Sequence, residues 1–261
     1  LKPFWPRHRA DPPQSLPAGA PRTFAPGDAM AGAGNAAAVM PPADPAQLAG
    51  WLASRRKASL ELADGSAFEG FSFGYGGSTT GEVVFNTGMV GYPESLTDPS
   101  YAGQILVLTF PLVGNYGVPD EECDALGLLR HFESNKIHIK ALVISDYSFV
   151  ASHYTSRKTL GQWLEEHKIP GIYGVDTRAL TKLIRMHGAL LGKVVVEDGA
   201  QSASMEFADP NETNLAASVS RTQKQVFLPP PLPPAVEDGA AAPTPAEEAK
   251  QVTILAVDCG M

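Results

Sequence analysis

Hydrophobic and polar residues follow the period of β-strands over much of the middle of the chain. In residues 59–70, Leu60 and Leu62 alternate with polar neighbours, and Asp64 and Gly65 suit a tight turn, which predicts a β-hairpin. Runs rich in β-branched and aliphatic residues predict further strands at residues 81–87, 104–110, 137–146, 169–175 and 190–196. The middle of the chain is therefore expected to be rich in β-structure.

Two segments have the period of an α-helix instead. Residues 155–167 place Leu, Trp, Leu and His on one stripe, and residues 176–187 place Leu, Leu, Ile and His in the same way. Asp176 is a good N-cap for the second helix, and Gly188 suits its C-terminal end. A third helix is expected at residues 121–134. Strands that come first and then alternate with helices predict a mixed α/β body.

Prolines are concentrated in two parts of the chain. Ten of the 23 lie in residues 1–57 and seven lie in residues 228–250. Because strands and helices exclude proline from their interiors, the proline-poor part is expected to be the folded body. We therefore expect a disordered, low-complexity tail at residues 1–57, one domain at residues 58–227 and a Pro/Ala-rich linker at residues 228–250. Residues 251–261 have the pattern of a strand buried on both faces, which we expect to begin a further domain.

Composition and charge argue against several classes of function. No apolar stretch in the 261 residues approaches the roughly 18 residues of a membrane span. The net charge of −8 disfavours binding to nucleic-acid phosphates. Two cysteines cannot form a disulfide framework, which indicates a reducing compartment and a cytoplasmic protein. Residues 1–57 carry seven Lys and Arg against three Asp, a net charge of +4, so a mitochondrial transit peptide is the alternative.

The residues indicate neither a nucleophile nor a metal site. Cys123 lies among carboxylates, which disfavour its thiolate, and Cys259 follows a strand of buried type. The histidines and cysteines lack HxxxH and CxxC spacing, so no metal site is expected. We predict no catalytic residue in this chain.

The strongest local feature is a polar loop that follows the predicted strand at residues 81–87. Thr97, Asp98 and Ser100 gather short hydrogen-bonding side chains around Pro99. A second polar cluster, at residues 110–120, follows the next strand in the same manner. Long ordered loops of this kind are usually functional, so we expect the two loops to build one face that binds a polar ligand or another domain.

Residues 81–117, GEVVFNTGMVGYPESLTDPSYAGQILVLTFPLVGNYG, closely resemble the amino-terminal domain of the glutaminase (small) chain of carbamoyl-phosphate synthetase. The resemblance continues through residues 152–194 and the ILAVDCGM ending, and it covers residues 58–227 and 251–261. The details DPNETNLAASVS and DCGM are most similar to the pyrimidine-pathway form, in which the glutaminase is fused to the synthetase. The arginine-pathway small chain and a non-catalytic scaffold that lost glutaminase activity are the alternatives.

The resemblance implies a fold, a reaction and a set of partners. The implied fold is a three-layer β/β/α domain of the swivelling type with a mixed sheet. The implied reaction is hydrolysis of glutamine to glutamate and ammonia, with the ammonia channelled to a synthetase that uses ATP and Mg to make carbamoyl phosphate. The catalytic Cys, His and Glu belong to a class I amidotransferase domain that begins at residues 251–261, and they lie outside this chain. The resemblance implies no cofactor in this chain, because the synthetase uses the ATP and Mg. Its implied partners are the synthetase, the downstream glutaminase domain and glutamine.

The resemblance also assigns two site residues. The serine of the DPSY motif contacts substrate glutamine in this family, and that residue is Ser100 here. The aspartate of the same motif lies near the ammonia route, and that residue is Asp98.

Overall fold

The computed structural model describes residues 53–197, 205–228 and 253–258, together with Gln47, Gly50 and Trp51. Most of the predicted tail and residues 229–250 of the predicted linker lie outside the described residues. No helix in the described part of the chain is long and apolar enough to cross a membrane.

The described chain forms nine strands and four short α-helices. The strands are β1 Lys57–Leu62, β2 Ala67–Gly74, β3 Thr79–Asn86, β4 Gln104–Leu108, β5 Leu112–Val113, β6 Ala141–Val143, β7 Asp146–Tyr147, β8 Pro170–Tyr173 and β9 Leu190–Val196. The helices are α1 Tyr92–Thr97, α2 Leu160–Glu166, α3 Thr177–His187 and α4 Leu215–Val219. Two 3₁₀ turns lie at Pro99–Tyr101 and Pro210–Glu212.

Seven of these strands close into a barrel with the order β1-β2-β8-β6-β4-β3-β9. Strands β3, β4, β6 and β8 run parallel to one another, whereas β1, β2 and β9 pair antiparallel with their neighbours. Strands β5 and β7 form a separate parallel pair. The predicted α/β class with mixed strand pairing is confirmed.

Strand β4 is buried on both faces and divides the core in two. Ile105 and Val107 belong to one apolar cluster, which includes residues of helix α3. Leu106 and Leu108 point the other way into a second cluster, which includes residues of helices α1 and α2. A strand buried on both faces has apolar residues in succession, as the QILVL sequence of β4 does. Because β4 is buried, it fixes the end of the β3–β4 loop and the start of the polar loop at residues 110–120.

The predicted hairpin and the predicted helix caps, which depend on residues close together in the sequence, are confirmed. Strands β1 and β2 form the predicted hairpin, and Ser66 donates its backbone N–H to Asp64 Oδ1 at 2.8 Å in the turn. Helix α3 begins after Asp176, whose side chain accepts from the Ala179 N–H, and ends at Gly188 with a positive φ of 81°. Both caps satisfy backbone groups that have no partner inside the helix.

The helix predicted at residues 121–134 is wrong. The segment forms a tight turn in which Asp124 Oδ1 accepts from the N–H groups of Leu126 and Leu128, at 2.8 and 2.9 Å. Gly127 has a positive φ of 76°, which a helix does not allow. The Asp124 side chain therefore competes with helical hydrogen bonding and stabilises the turn.

Residues 253–258 form no strand, although residues 251–261 have the pattern of a buried one. The side chains of Ile254 and Leu255 are 87% and 85% exposed. A buried parallel strand requires neighbours on both sides, and no strand in the described part of the chain pairs with this segment. Its assignment to a further domain stays a prediction.

Candidate functional site

The loop between β3 and β4 contains helix α1 and the 3₁₀ turn Pro99–Tyr101. Asp98 closes the turn, because its Oδ1 accepts from the Ser100 N–H at 2.8 Å and its carbonyl accepts from the Tyr101 N–H at 3.1 Å. Pro99 fixes φ at the first position of the turn. The backbone at Ser100 is therefore fixed by both of its predecessors.

The two predicted site residues differ in exposure. Ser100 is exposed and Asp98 is half-buried. No group in the described part of the chain makes a hydrogen bond with the Ser100 hydroxyl, whereas one oxygen of Asp98 is occupied by the turn. The Ser100 hydroxyl is therefore available to a ligand, and Asp98 holds the backbone beneath it.

A second loop packs against the first, as the sequence pattern predicts. The Tyr116 hydroxyl accepts from the backbone N–H groups of Gly91 and Tyr92, at 2.8 and 3.0 Å. In return, the Tyr92 hydroxyl donates to the carbonyl of Gly117 at 2.5 Å. These contacts cap the first turn of α1 and join residues 110–120 to the β3–β4 loop. The two loops form one face.

The buried side of α1 is anchored to residues 133 and 134. Thr97 is only 1% exposed, and its hydroxyl donates to the Pro93 carbonyl at 2.8 Å. The same oxygen accepts from the Glu133 N–H at 3.0 Å, and the Ser134 hydroxyl donates to the Thr97 carbonyl at 2.6 Å. The sequence groups Thr97 with the site, but its buried side chain anchors helix α1 to residues 133 and 134.

His138 lies beside the same segment. Its backbone N–H donates to the Leu96 carbonyl at 2.9 Å. Partial burial and the nearby Lys136 charge lower the pKa of the His138 ring, and the carboxylate of Asp98 opposes that effect. Asp98 therefore lies near one histidine and directly beneath the exposed serine.

A shallow groove lies between the two loops. Apolar side chains of both loops line it, and the half-buried Asn86 and Ser95 supply polar atoms. Met89 and Val90 are 70% and 79% exposed at its edge. The face therefore carries the polar turn at Ser100 on one loop and, between the two loops, a shallow groove with an exposed apolar edge.

The two cysteines and a possible metal site are the other chemistry that the sequence raises. Cys123 is an exposed free thiol in the turn at residues 120–130, and Cys259 lies outside the described residues. Within residues 53–197, 205–228 and 253–258, no three His, Cys, Asp or Glu side chains lie together so that they could hold a metal ion.

Sequence reasoning missed Asn86 and Tyr116, which connect the parts of the site. Asn86 is the last residue of β3, and Tyr116 lies within the second polar cluster. A hydrogen-bonding residue where a strand enters a polar loop was the available signal for Asn86. No local pattern distinguishes Tyr116 from a core tyrosine, because its partners are 24 and 25 residues away.

Comparison with known proteins gives one consistent family. The model of the carbamoyl-phosphate synthase small chain, CPSase domain, matches residues 60–194. The multifunctional protein CAD of Squalus acanthias is 50% identical over 204 residues, which cover 78% of this chain and 8% of that protein. The multifunctional protein URA2 of Saccharomyces cerevisiae is 46% identical over 222 residues, which cover 79% of this chain and 10% of that protein.

A relative named for a different nitrogen source matches almost as well. The mitochondrial carbamoyl-phosphate synthase [ammonia] of Homo sapiens is 45% identical over 205 residues, which cover 78% of this chain and 12% of that protein. The chain therefore spans about a tenth of the length of these relatives. The predicted resemblance to the small chain, in its multifunctional pyrimidine-pathway form, is confirmed. The chain belongs to the family of the carbamoyl-phosphate synthase small chain, CPSase domain.

Proposed function

We propose that this chain is the docking and glutamine-lining domain of a glutamine-hydrolysing carbamoyl-phosphate synthase that supplies pyrimidine synthesis. The Ser100 hydroxyl hydrogen-bonds substrate glutamine while a downstream glutaminase domain hydrolyses it. The ammonia passes Asp98 on its way to the synthetase, which binds ATP and Mg. The domain comprises residues 58–227 with the three-layer swivelling arrangement, residues 251–261 begin the glutaminase domain, and the protein is cytoplasmic.

The exposed hydroxyl of Ser100 carries this proposal. A serine held in a fixed turn loses little conformational entropy when it binds a ligand. Asp98 accepts the Ser100 N–H at 2.8 Å, so the hydroxyl projects from a constrained backbone. A hydroxyl both donates and accepts, which suits the amide, ammonium and carboxylate groups of glutamine.

The chain alone is expected not to hydrolyse glutamine. Thiol-based hydrolysis requires a thiolate with a basic partner, and Cys123 is exposed beside Glu121, Glu122 and Asp124. We expect no glutamate release when the purified chain is incubated with glutamine. Glutamate release that Cys123→Ser or Cys259→Ser abolishes would contradict this expectation.

The mitochondrial relative favours a second candidate function, because that protein is named as a synthase that uses ammonia. In that case the chain is a scaffold retained in a synthase that takes free ammonia, and a mitochondrial location follows. The test is the nitrogen source of the full-length protein. Carbamoyl phosphate formation with glutamine at a low concentration of free ammonia supports the glutamine-dependent function. Formation with ammonia only would overturn it in favour of the scaffold.

A further inference from the structure

The side chain of Asn86 connects three separate parts of the β3–β4 loop. Its Nδ2 donates to the Tyr101 hydroxyl at 3.1 Å and to the Ser95 hydroxyl at 3.3 Å. Its Oδ1 accepts from the Gly88 N–H at 2.6 Å. One amide therefore joins the start of the loop, helix α1 and the 3₁₀ turn that carries Ser100.

Asn86 is itself fixed to the barrel. It ends strand β3, which pairs with β4 in the register Asn86 to Leu108. The Asn86 carbonyl accepts from the backbone N–H of Thr109 at 3.1 Å and from its hydroxyl at 3.3 Å. The amide therefore projects from a rigid strand end and transmits the position of the barrel to the loop.

Tyr101 passes that position to Ser100, which precedes it directly in the chain. The ring of Tyr101 is half-buried and packs against the core cluster that contains α1 and α2. Its hydroxyl is bonded to Asn86 at 3.1 Å, while its backbone N–H is bonded to the Asp98 carbonyl at 3.1 Å. Asp98 therefore fixes the turn from before Ser100, and the bond between Asn86 and Tyr101 fixes it from behind.

We propose that Asn86 is a positioning residue for substrate binding, which acts through the Tyr101 hydroxyl to hold Ser100 in its ligand-binding position. The inference rests on the proposed role of Ser100 in binding glutamine. In this role Asn86 acts through Tyr101 and does not contact the substrate. Its loss leaves the Ser100 hydroxyl present but less well placed, so the expected defect is smaller than that of removing the hydroxyl.

Three variants of the full-length synthase separate this role from simple packing. Tyr101→Phe removes only the hydroxyl, and Asn86→Leu keeps the approximate volume but removes the amide. Asn86→Asp keeps the acceptor for Gly88, and the hydroxyls of Tyr101 and Ser95 can rotate to donate to the new carboxylate. We expect Asn86→Asp to restore much of the wild-type behaviour.

The expected result is a split between the two nitrogen sources. Tyr101→Phe loses one neutral hydrogen bond, which raises the glutamine KM about twofold to tenfold. Asn86→Leu loses the bonds to Tyr101, Ser95 and Gly88, so we expect its glutamine KM to rise at least as much. The rate with saturating free ammonia stays unchanged, because ammonia does not use Ser100. Tyr154→Phe is the matched control, since Tyr154 is 89% exposed and lies outside the loop.

A second readout does not depend on glutamine. Hydrogen exchange measured by mass spectrometry on peptides that cover residues 98–103 reports the turn, because Ser100, Tyr101 and Ala102 all donate their N–H groups within it. We expect faster exchange in Tyr101→Phe and Asn86→Leu, with Asn86→Asp and Tyr154→Phe close to wild type.

The outcomes distinguish the inference from the proposed function. The inference is supported if Ser100→Ala raises the glutamine KM, Tyr101→Phe and Asn86→Leu raise it less, and exchange in the turn accelerates. It is overturned if Ser100→Ala raises the KM while Tyr101→Phe and Asn86→Leu leave both KM and exchange unchanged. An equal fall of the glutamine and ammonia activities, with a lower Tm, would overturn it as well. An unchanged KM in Ser100→Ala instead overturns the proposed function, and with it the substrate role of Asn86.

Discussion

The ring of Tyr116 stacks on the ring of Tyr92 with their centroids 4.2 Å apart and their planes 21° from parallel. The hydroxyl of Tyr116 also caps the start of the helix that Tyr92 begins, because it accepts the N–H groups of Gly91 and Tyr92. Gly91 precedes the helix with a positive φ of 86° and supplies no side-chain cap of its own. A tyrosine from the neighbouring loop therefore takes the role that a local Ser or Asp usually has.

Tyr116→Phe should destabilise the fold while keeping the stacked rings. The variant leaves two helix-initiating N–H groups without their acceptor, and each buried unsatisfied donor costs about 1–3 kcal/mol. Because Tyr116 is only half-buried, water replaces part of the loss, and we expect the free energy of unfolding to fall by about 1–2 kcal/mol. Urea denaturation followed by circular dichroism measures it.

Tyr154→Phe serves as the control for that measurement. Tyr154 is 89% exposed, so loss of its hydroxyl leaves no buried group unpaired. An equal destabilisation in both variants would show that the capping bonds of Tyr116 contribute nothing specific.

The free energy of unfolding should decline in alkaline solution, because burial raises the pKa of three tyrosine hydroxyls in the folded chain. Burial raises the pKa of Tyr92, Tyr116 and Tyr147 above the ordinary value of 10. The folded chain then binds these protons more tightly than the unfolded chain, so their contribution is fully present below about pH 10 and is lost as the pH rises beyond it. We expect the urea midpoint to be flat from pH 8 to 9.5 and to fall above that range.

Tyr92→Phe tests the source of the alkaline effect. The variant is expected to be less stable at pH 8, because the bond to the Gly117 carbonyl is lost, but to decline less steeply above pH 10. A decline as steep as that of the wild type would place the titrating groups elsewhere.

The barrel should not tolerate a side chain at Gly192. A β-carbon built there overlaps Cγ2 of Val83, and φ at this position is not in the left-handed region, so the obstacle is steric. Overpacking of a closed core costs about 1–3 kcal/mol, and we expect Gly192→Ala to lose stability in that range. Gly50→Ala is the control for an added methyl group without a clash, because Gly50 is exposed and helical and no described atom lies within 4 Å of its β-carbon. Equal Tm values for the two variants would contradict the packing of β9 against β3.

Local structure could be predicted from the sequence because short-range chemistry decides it. The hairpin at Asp64 and the caps of α3 at Asp176 and Gly188 depend on residues within a few positions of one another. The turn at residues 120–130 shows the limit of that reasoning. The sequence predicts a helix at residues 121–134, but the Asp124 side chain and the positive φ of Gly127 stabilise a turn instead.

The closure of the barrel and the shape of the site could not be predicted in the same way. Strand β9 closes the barrel by pairing with β1 and β3, which lie more than a hundred residues earlier in the chain. Helix α1 has only six residues, within a stretch whose Gly and Pro content predicted an irregular loop. The family motif predicts the role of Ser100. Its support by Asn86 and Tyr101 could not be predicted, because it depends on contacts that only the three-dimensional structure shows.

The glutamine KM of the full-length synthase with Ser100→Ala tests the central claim most directly. Ser66→Ala is the matched control, because Ser66 donates its N–H to Asp64 at 2.8 Å in a similar turn, which joins β1 to β2 and does not belong to the β3–β4 loop. Loss of a hydrogen bond to a charged ligand group removes about 1.5–3 kcal/mol, so we predict a glutamine KM raised about tenfold to a hundredfold with unchanged synthesis from free ammonia. A parallel fall of both activities with a lower Tm, or an unchanged glutamine KM, would contradict the role of Ser100 in binding glutamine.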